Sequence, residues 1–459
     1  MVVVPLNISY RWRLMMTEWL FDVAGPLHIG GAAIILPFAQ AEFGVSKGVI
    51  VWMMVGFSIA TATFVLPAAY LGNSLGRRKL VILGSSLDML SQLGIFVVPS
   101  IAWLIPIRML GGIGNAFILA NLPPMVVSAF PLRTRGRTLG IMGLGIGIGI
   151  LVTAPLAGLM ADTLGWRYLY LMTASMYGIL FLAAIFIVQD PRELRTQDVS
   201  VTSFDYPGMV MVGAILFSLS LSMQRFGSIS SLGLAIALLG VAMVVTVAFV
   251  RWELMYSRPL IDPRLFKNVT LSRAVLRATI VNTFRSSGRF LVPFFLIQGL
   301  GWRGAFAGSV MISENISQPF VSPLGGYLVD RVGTTSPILV AIGLMAAGGI
   351  SMITLGNDPS VTHISLSLIL MGTGWSLFMT PNRHDIYSSV PQDKLSLAQA
   401  VSGLTGHGTN AVGAAFGATL LGIFINDGII SAFQSSFIVI VIGFVIGHIA
   451  IGLTFKPRG

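Results

Sequence analysis

Residues 232–250 read LGLAIALLGVAMVVTVAFV, and this run of 19 residues contains no charged side chain. An apolar helix of about 20 residues is long enough to cross the roughly 30 Å hydrocarbon core of a bilayer. Similar runs recur along most of the chain, whereas the alternating segments of about ten residues that are typical of a membrane β-barrel do not appear. The sequence therefore predicts an all-α integral membrane protein.

The composition of the whole chain agrees with this prediction. Of its 459 residues, 55% are hydrophobic and 10% are charged, whereas soluble proteins carry about 25% charged residues. So few charges cannot cover a water-facing surface, and the apolar content excludes a disordered chain. Cys is absent, which excludes a disulfide scaffold and a Cys-ligated zinc site.

The apolar runs predict fourteen transmembrane helices. The first contains Pro26 and Pro37 and lacks a small-residue cleavage site, so we interpret it as a retained helix and not as a signal peptide. The approximate spans are 14–40, 50–71, 79–99, 102–129, 138–161, 166–188, 207–224, 232–250, 272–298, 304–328, 336–356, 363–381, 396–424 and 434–455.

The positive charges predict the orientation. With the N-terminus in the cytoplasm, 20 of the 28 Lys and Arg residues fall on the cytoplasmic side, 5 on the outer side and 3 within the ninth span. This bias predicts a multi-pass protein of the plasma or inner membrane with both termini in the cytoplasm. The net charge of +11 then faces anionic lipid headgroups. Nucleic-acid binding is the weaker interpretation, because the charges are spread over many short loops.

A short internal repeat divides the chain. Residues 69–76 read AYLGNSLG and residues 326–333 read GYLVDRVG, with Tyr, Leu and the final Gly at a constant offset of 257. Each copy ends a predicted span on the cytoplasmic side. A chance match of common residues is the alternative. The repeat predicts two six-helix bundles, 1–190 and 271–459, separated by a two-helix insertion with its linkers, 191–270.

At these residues the chain resembles the major facilitator superfamily, in its fourteen-helix drug:proton antiporter branch. Residues 69–79 resemble the superfamily's signature loop, although Asn73 stands where the pattern has Asp; Asp330 keeps the acid in the second copy. RMLGGIGNA at 108–116 resembles the fourth-helix motif, and APLAG at 154–158 resembles the fifth-helix antiporter motif. FDYPG at 204–208 and PLIDPRLF at 259–266 resemble the segments that bracket the two extra helices. The resemblance implies the major facilitator fold in a 6 + 2 + 6 arrangement.

The resemblance also implies roles for individual residues. Arg108 is implied to be buried and to take part in proton coupling. A role in gating or conformational change is implied for Gly72, Asn73, Gly76, Arg77, Arg78, Ala154, Pro155, Gly158, Asp330 and Arg331. Independently of the family, the glycines between Gly140 and Gly149 form a nearly bare helix face that lets another helix approach closely, and Pro155 bends that helix. Tight packing alone would also explain these glycines.

Arginines inside a predicted span are the most unusual charges. Arg285 and Arg289 are four residues apart in the ninth span, so they share a face that Asn282 extends. An isolated guanidinium at mid-bilayer costs at least ~3 kcal/mol, so both must face a cavity or a carboxylate. Glu314 and Asp22 are the candidate partners. One hypothesis is a structural Arg–Glu pair. The other is a positively lined cavity for an anionic or zwitterionic substrate, with Arg285, Arg289, Asn282, Glu314, His407 and Asn410 as the binding residues.

The first span carries the other candidate site. His28 lies where the family commonly has an acid, and imidazole titrates near pH 6.5. We therefore predict that His28, Asp22 and Arg108 handle the coupled proton; a polar packing role for His28 is the alternative. Asp88 is a further acid within a span, in the third helix. Glu18 is expected to reach the cytoplasmic interface.

Several function classes are excluded or disfavoured. The chain has no Gly-Lys dipeptide, so it lacks a Walker-type phosphate loop, and no His-Glu dipeptide, so it lacks the helical zinc-protease motif. We predict no catalytic residue, metal or cofactor. The predicted function is proton-coupled export of a small amphipathic compound, with an anionic or zwitterionic one favoured by the arginines, by a monomer that works by alternating access. Proton-coupled uptake of an organic anion and flipping of an anionic lipid are alternatives; a membrane-embedded enzyme or receptor is a distant one.

Overall fold

α-Helices joined by short turns make up the computed structural model. The structure describes residues 8–130, 135–189, 204–226, 231–256, 259–356, 358–390 and 395–454. These ranges contain no strand, which confirms the all-α prediction for them. The α-helices are α1 (Ile8–Phe43), α2 (Lys47–Ile50), α3 (Trp52–Leu75), α4 (Arg77–Val97), α5 (Ile101–Ala129), α6 (Arg135–Thr163), α7 (Arg167–Phe186), α8 (Tyr206–Arg225), α9 (Leu232–Met255), α10 (Val269–Phe294), α11 (Gly304–Met311), α12 (Gln318–Val332), α13 (Thr335–Ile353), α14 (Val361–Ser388), α15 (Leu395–Phe424) and α16 (Ile429–Thr454).

Twelve stretches of the described chain are long and apolar enough to cross a membrane. They correspond to twelve of the fourteen predicted spans, so the chain is a multi-pass membrane protein. The ninth predicted span is α10, whose four arginines lower its apolar character, and it continues as a π-helix over Phe295–Gly299. The count of fourteen transmembrane helices stays a prediction.

The tenth predicted span, 304–328, is not one continuous helix. α11 ends at Met311, a 3₁₀ turn follows over Ile312–Glu314, and α12 begins only at Gln318. Pro319 lies in the first turn of α12, where proline is tolerated, whereas within a longer helix it would remove a backbone hydrogen bond. The expectation of an unbroken helix was therefore wrong at residues 312–317, a segment that we call the break.

Glycines allow the first helices to pack closely. α5 packs against both α3 and α4, and α1 packs against α6 and α7. A Cβ atom at Gly112 would clash with the carbonyl oxygen of Phe57 on α3, and one at Gly114 would clash with that of Gly84 on α4. The glycines of the fourth-helix motif are therefore required by backbone contact. In the second part of the chain, α10 packs against α15 and α16, and α14 against α12 and α13.

The helices α8 and α9 lie at the periphery. α8 packs against α3 and α15, whereas α9 packs mainly against α8 and exposes apolar side chains such as Met243 and Val244. Their linkers are joined by two buried acids. Asp205 accepts hydrogen bonds from Gly208 N and Trp252 Nε1, and Glu253 accepts one from Ile261 N. These contacts connect the two segments that bracket the insertion.

Some sequence predictions fall outside the described residues. The boundary at 190/191 lies there, as do Arg192, Arg195, Arg258, Lys394, Lys456 and Arg458, which contribute to the predicted orientation. The side chains of Asn73, Arg133, Arg135 and Arg137 also lie outside them. Below, the N-side is the end of the bundle at which α1 begins, and the far side is the end at which α1 ends, near Phe43.

Candidate functional site

A cavity of about 350 Å³ lies between α1, α3, α5 and α6 on one side and α10, α14, α15 and the break on the other. This volume suits a small organic molecule. Its charged lining consists of Asp22 from α1, Arg285 and Arg289 from α10, and Glu314 from the break. The lining is thus balanced, with two acids and two arginines, and not uniformly positive.

One carboxylate binds two of the four arginines of α10. Arg285 Nε donates to Glu314 Oε1 at 2.9 Å, and Arg289 Nε donates to the same oxygen at 3.2 Å. The Nη2 atoms of both arginines lie 3.3 Å from Asn315 Oδ1. We call these four residues the Glu314 cluster. Its carboxylate neutralises one of two positive charges, so the cluster keeps one unit of positive charge at the cavity wall.

The break and α14 hold this cluster in place. The Arg285 guanidinium carbon lies 3.7 Å from the centre of the Trp375 ring, a cation–π contact. A Cβ atom at Gly372 of α14 would clash with the carbonyl oxygen of Glu314. The glycine lets α14 lie directly against the break, so that Glu314 points back towards α10.

The remaining predicted binding residues divide in two. His407 and Asn410 line the cavity, and the Asn410 carbonyl oxygen accepts a hydrogen bond from Ser286 Oγ. Asn282 is half-buried and does not line the cavity. Asp22, for which the sequence predicts a role in proton coupling, lies on the wall of the cavity.

A second polar site is sealed inside the first helices. His28 Nε2 lies 2.8 Å from Tyr177 Oη on α7 and 3.9 Å from Asp88 Oδ2 on α4. Arg108 Nη1 lies 3.2 Å from His28 Nδ1, and Nη2 donates to the His28 carbonyl oxygen at 2.6 Å. With Gln92, which donates to Asp88 Oδ1, these residues form what we call the His28 cluster.

The His28 cluster is almost completely excluded from solvent. His28, Asp88 and Tyr177 are 0% exposed and Arg108 is 1% exposed. Arg108 Nε also donates to the carbonyl oxygen of Met53, and its guanidinium lies over the ring of Phe57. The structure therefore brings His28 and Arg108 together and adds Asp88. Sequence analysis noted Asp88 as an acid within a span but gave it no role; Gln92, four residues later on the same helix face, is the one local signal of a buried partner.

Glu18 lies inside the helix bundle and not at its surface. It is 1% exposed, one helical turn before Asp22, which is 6% exposed. The expectation that Glu18 reaches the interface was wrong, because the side chain is buried within the bundle, where α1 packs against α6 and α7. Gly145 and Gly149 of α6 pack directly against Asp22, which agrees with the predicted close approach along this glycine face.

The predicted N-side gating residues occupy two separate turns. Gly76 has φ 106°, which favours glycine, and a Cβ atom at Gly72 would clash with Asn121. Arg78 Nη2 donates to the carbonyl oxygen of Ile185 at the end of α7. In the second copy, Asp330 and Arg331 are exposed, and the Arg331 guanidinium lies over the ring of Tyr327. Arg77 is half-buried.

The antiporter-like segment of α6 packs against α11 near the far side. A Cβ atom at Gly158 would clash with the Gly304 carbonyl oxygen, and one at Gly308 would clash with that of Ala154, next to Pro155. Asp162 binds the start of α11, where its two oxygens accept from Gly304 N at 2.9 Å and Ala305 N at 2.7 Å. Sequence analysis missed Asp162, because its partners are more than 140 residues away.

Comparison with known proteins agrees with this arrangement. The model of the Major Facilitator Superfamily matches residues 27–414. The multidrug resistance protein Stp of Mycobacterium tuberculosis is 28% identical over 398 residues, which cover 85% of this chain and 71% of Stp. The quinolone resistance protein NorB of Staphylococcus aureus is 26% identical over 415 residues, which cover 89% of this chain and 85% of NorB.

Solved structures show the same fold. A peptide transporter POT superposes with a TM-score of 0.71 at 14% identity, covering 99% of this chain and 97% of that one. A variant of the nucleoside transporter NupG superposes with a TM-score of 0.70 at 13% identity, covering 97% of this chain and all of NupG. The family match over most of the chain, together with a cavity between two groups of helices, identifies a membrane transporter and not an enzyme: the chain belongs to the major facilitator superfamily.

Proposed function

We propose that this transporter exports small amphipathic compounds in exchange for protons. The observation that carries the proposal is the pair of sites in one bundle: an accessible cavity with charged walls, and the sealed His28 cluster with titratable groups. Substrate export needs the first and proton coupling needs the second. The names of the relatives Stp and NorB, multidrug and quinolone resistance proteins, support export of drug-like molecules.

The proposed division of the chain is the one that the repeat predicts. Residues 1–190 and 271–459 form the two moving bundles, and residues 191–270 form the insertion. The cavity lies between helices of both bundles, as alternating access requires. We place the protein in the plasma or inner membrane as a monomer, with the N-side and both termini in the cytoplasm.

Contacts on the far side support an inward-facing state. Gly304 N and Ala305 N donate to Asp162, and Gln298 Nε2 donates to Gln40 Oε1 at 2.9 Å. These three hydrogen bonds join the two bundles near the outer end. Export would require them to break so that the cavity opens outwards, and we therefore assign Ala154, Pro155 and Gly158, which lie at this contact, to the conformational change.

We assign proton handling to His28 and Asp88, with Arg108 as the group that responds to their charge. His28 and Asp88 lie on different helices, α1 and α4. A change of charge on His28 or Asp88 would alter the electrostatic interaction of that side chain with the Arg108 guanidinium. The same guanidinium donates hydrogen bonds to backbone carbonyl oxygens of α1 and α3. Protonation can thus alter the packing of three helices at once.

Flux measurement in proteoliposomes tests the proposal. The purified protein is oriented with its N-side facing the liposome lumen, and a fluorescent quinolone is the probe. When the medium is more acidic than the lumen, the inward flow of protons should drive the quinolone out of the lumen against its concentration gradient. Nigericin, which collapses the pH gradient, should abolish the movement, and protein-free liposomes serve as the control. Flux that is unchanged by nigericin would reject proton coupling, and accumulation in the opposite direction would favour uptake over export.

A further inference from the structure

Two acids of α1, Glu18 and Asp22, lack a counter-charge among the described side chains. Glu18 Oε2 and Asp22 Oδ2 are buried and have no hydrogen-bond partner. Among the side chains that the structure describes, no Lys, Arg or His lies within 4.0 Å of either carboxylate. A carboxylate removed from water is costly unless it is paired. In the described part of the chain these two oxygens thus remain without a partner, and Asp22 lies at one wall of the cavity.

Beside Asp22 the neighbouring helix presents glycines, which carry no charge. α6 presents Gly145 and Gly149 to Asp22, and a Cβ atom at Gly145 would already lie 3.3 Å from Asp22 Oδ2. No longer side chain fits between the two helices there. The open approach to Asp22 is the cavity, which it lines, so a positive charge can reach it from a bound molecule.

The opposite wall of the cavity carries an excess of positive charge. Arg285 and Arg289 share the single carboxylate of Glu314. The side chain of Arg289 is 33% exposed and lines the same cavity. Its guanidinium is available to bind an acidic group of a bound molecule.

We propose that the cavity selects zwitterionic amphipathic compounds, with the cationic group at Asp22 and the acidic group at Arg289. This inference rests on the proposed transport function and specifies its substrate class. Apolar side chains of Phe21, Met54, Leu119 and Met311 line the space between the charged walls and accommodate an aromatic frame. Because Asp22 lies on α1 and Arg289 on α10, a bound zwitterion connects the two bundles, whereas a singly charged compound satisfies only one of them.

A matched set of three probes tests the proposal in binding experiments. The frame is biphenyl: 4′-(aminomethyl)biphenyl-4-carboxylate is the zwitterion, its methyl ester is the cation and its N-acetyl derivative is the anion. Binding to the full-length protein in nanodiscs is measured by calorimetry at pH 7. We expect the zwitterion to bind at least about tenfold more tightly than either singly charged form, a difference that calorimetry resolves.

Two variants test which residue binds each charged end of the probe. Asp22→Asn should weaken binding of the zwitterion and the cation about tenfold and leave the anion unchanged. Arg289→Gln should weaken binding of the zwitterion and the anion and leave the cation unchanged. Glu42→Gln, an acid near the far side that pairs with Arg167, is the matched control and should change none of the three. If Asp22→Asn does not fold, the Arg289→Gln pattern decides the outcome alone.

Three results would overturn the proposal: equal affinity for all three probes, equal loss of all three in Asp22→Asn, or a cation that binds as tightly as the zwitterion. The binding assay is independent of the driving force. Zwitterion selectivity without proton-driven flux would contradict the proposed function but not the substrate class. Proton-driven flux of the anion, with no preference for the zwitterion in binding, would contradict the substrate class alone.

Discussion

Arg108 on α5 contacts His28 on α1 at two points: its Nη2 donates to the His28 carbonyl oxygen at 2.6 Å, and its Nη1 lies 3.2 Å from the imidazole Nδ1. The guanidinium thus contacts the backbone of α1 as well as the imidazole beside it. A third donor, Nε, binds the Met53 carbonyl oxygen near the start of α3. Arg108 therefore joins three helices and contacts one titratable ring.

Replacement of Arg108 should reduce both stability and coupling. Arg108→Ala removes the hydrogen bonds that the guanidinium donates to the His28 and Met53 carbonyl oxygens, and a hydrogen bond from a charged group contributes about 1.5–3 kcal/mol. We expect a lower melting temperature in detergent and loss of proton-driven flux. Arg108→Lys keeps the charge but not the planar fork, and should fold better while transporting poorly. Arg167→Lys, on an arginine near the far side that is partly exposed, is the control, and equal effects in both lysine variants would contradict the assignment.

Asp88→Asn should separate coupling from folding. The asparagine keeps an oxygen that can accept from Gln92, so the protein should remain folded, as gel filtration in detergent would show. Because the side chain can no longer change charge, the dependence of flux on the imposed pH gradient should become weaker. His28→Gln should act in the same direction. Wild-type pH dependence in both variants would remove the His28 cluster from the coupling mechanism.

Glu314→Gln should be more harmful alone than together with Arg289→Gln. Removing the carboxylate leaves two arginines at the cavity wall without a counter-charge. Loss of one partner of a buried ion pair costs about 3–5 kcal/mol, and the partial exposure of Arg289 favours the lower end. The double variant restores the wild-type net charge of one positive unit in the cluster, so its melting temperature should exceed that of Glu314→Gln. Strictly additive losses would show that the residues do not interact.

Gly158→Val should separate α6 from α11 on the far side. Its side chain would collide with the Gly304 carbonyl oxygen, so α6 and α11 could not approach as they do here. We expect faster labelling of a cysteine introduced at Gln298 by a reagent added from the outside, together with lower flux. Gly143→Val is the matched control, because nothing lies within 4 Å of a Cβ atom at Gly143. Equal labelling in the two variants would argue against this contact as the outer gate.

Asp162→Asn should weaken the same contact more mildly. A carboxylate at a helix N-terminus binds backbone N–H groups and interacts favourably with the helix dipole. The amide loses the charge and one of the two acceptor oxygens that bind Gly304 N and Ala305 N. We expect labelling at Gln298 to fall between that of the wild type and that of Gly158→Val. No change from the wild type would limit Asp162 to a local capping role.

The apolar runs were sufficient to predict twelve stretches long and apolar enough to cross a membrane, because hydropathy over about 20 residues depends on the local sequence alone. The pairing of Arg285 with Glu314 was one of two alternatives, and the structure shows that this pair also lines the cavity. The break at 312–317 was not predicted, since the run remains apolar enough for a helix and only Pro319 hints at an interruption. Burial of Glu18 could not be predicted, because it depends on which helices cover α1.

The predicted excess of positive charge in the cavity also depended on which helices pack together, and the sequence does not show this. Sequence analysis counted charges within spans but could not show which of them share a wall. Asp22 proved to line the cavity, and Arg108 proved to be sealed behind α1. The balance of charge at a site is a property of three-dimensional placement.

The position of α8 gives the molecule two unequal flanks. On one flank, α8 lies along the seam between α3 and α15: Thr63 contacts it at Gly213, and Gly408 contacts it at Leu216. Near the far side, Gln224 and the Met223 carbonyl oxygen accept hydrogen bonds from Trp52 and Thr419. On the other flank, α6 and α11 meet without an additional helix outside them in the described structure. The lipid-facing surface of the described structure is therefore asymmetric, because an extra helix covers one seam between the two groups of helices and leaves the other uncovered.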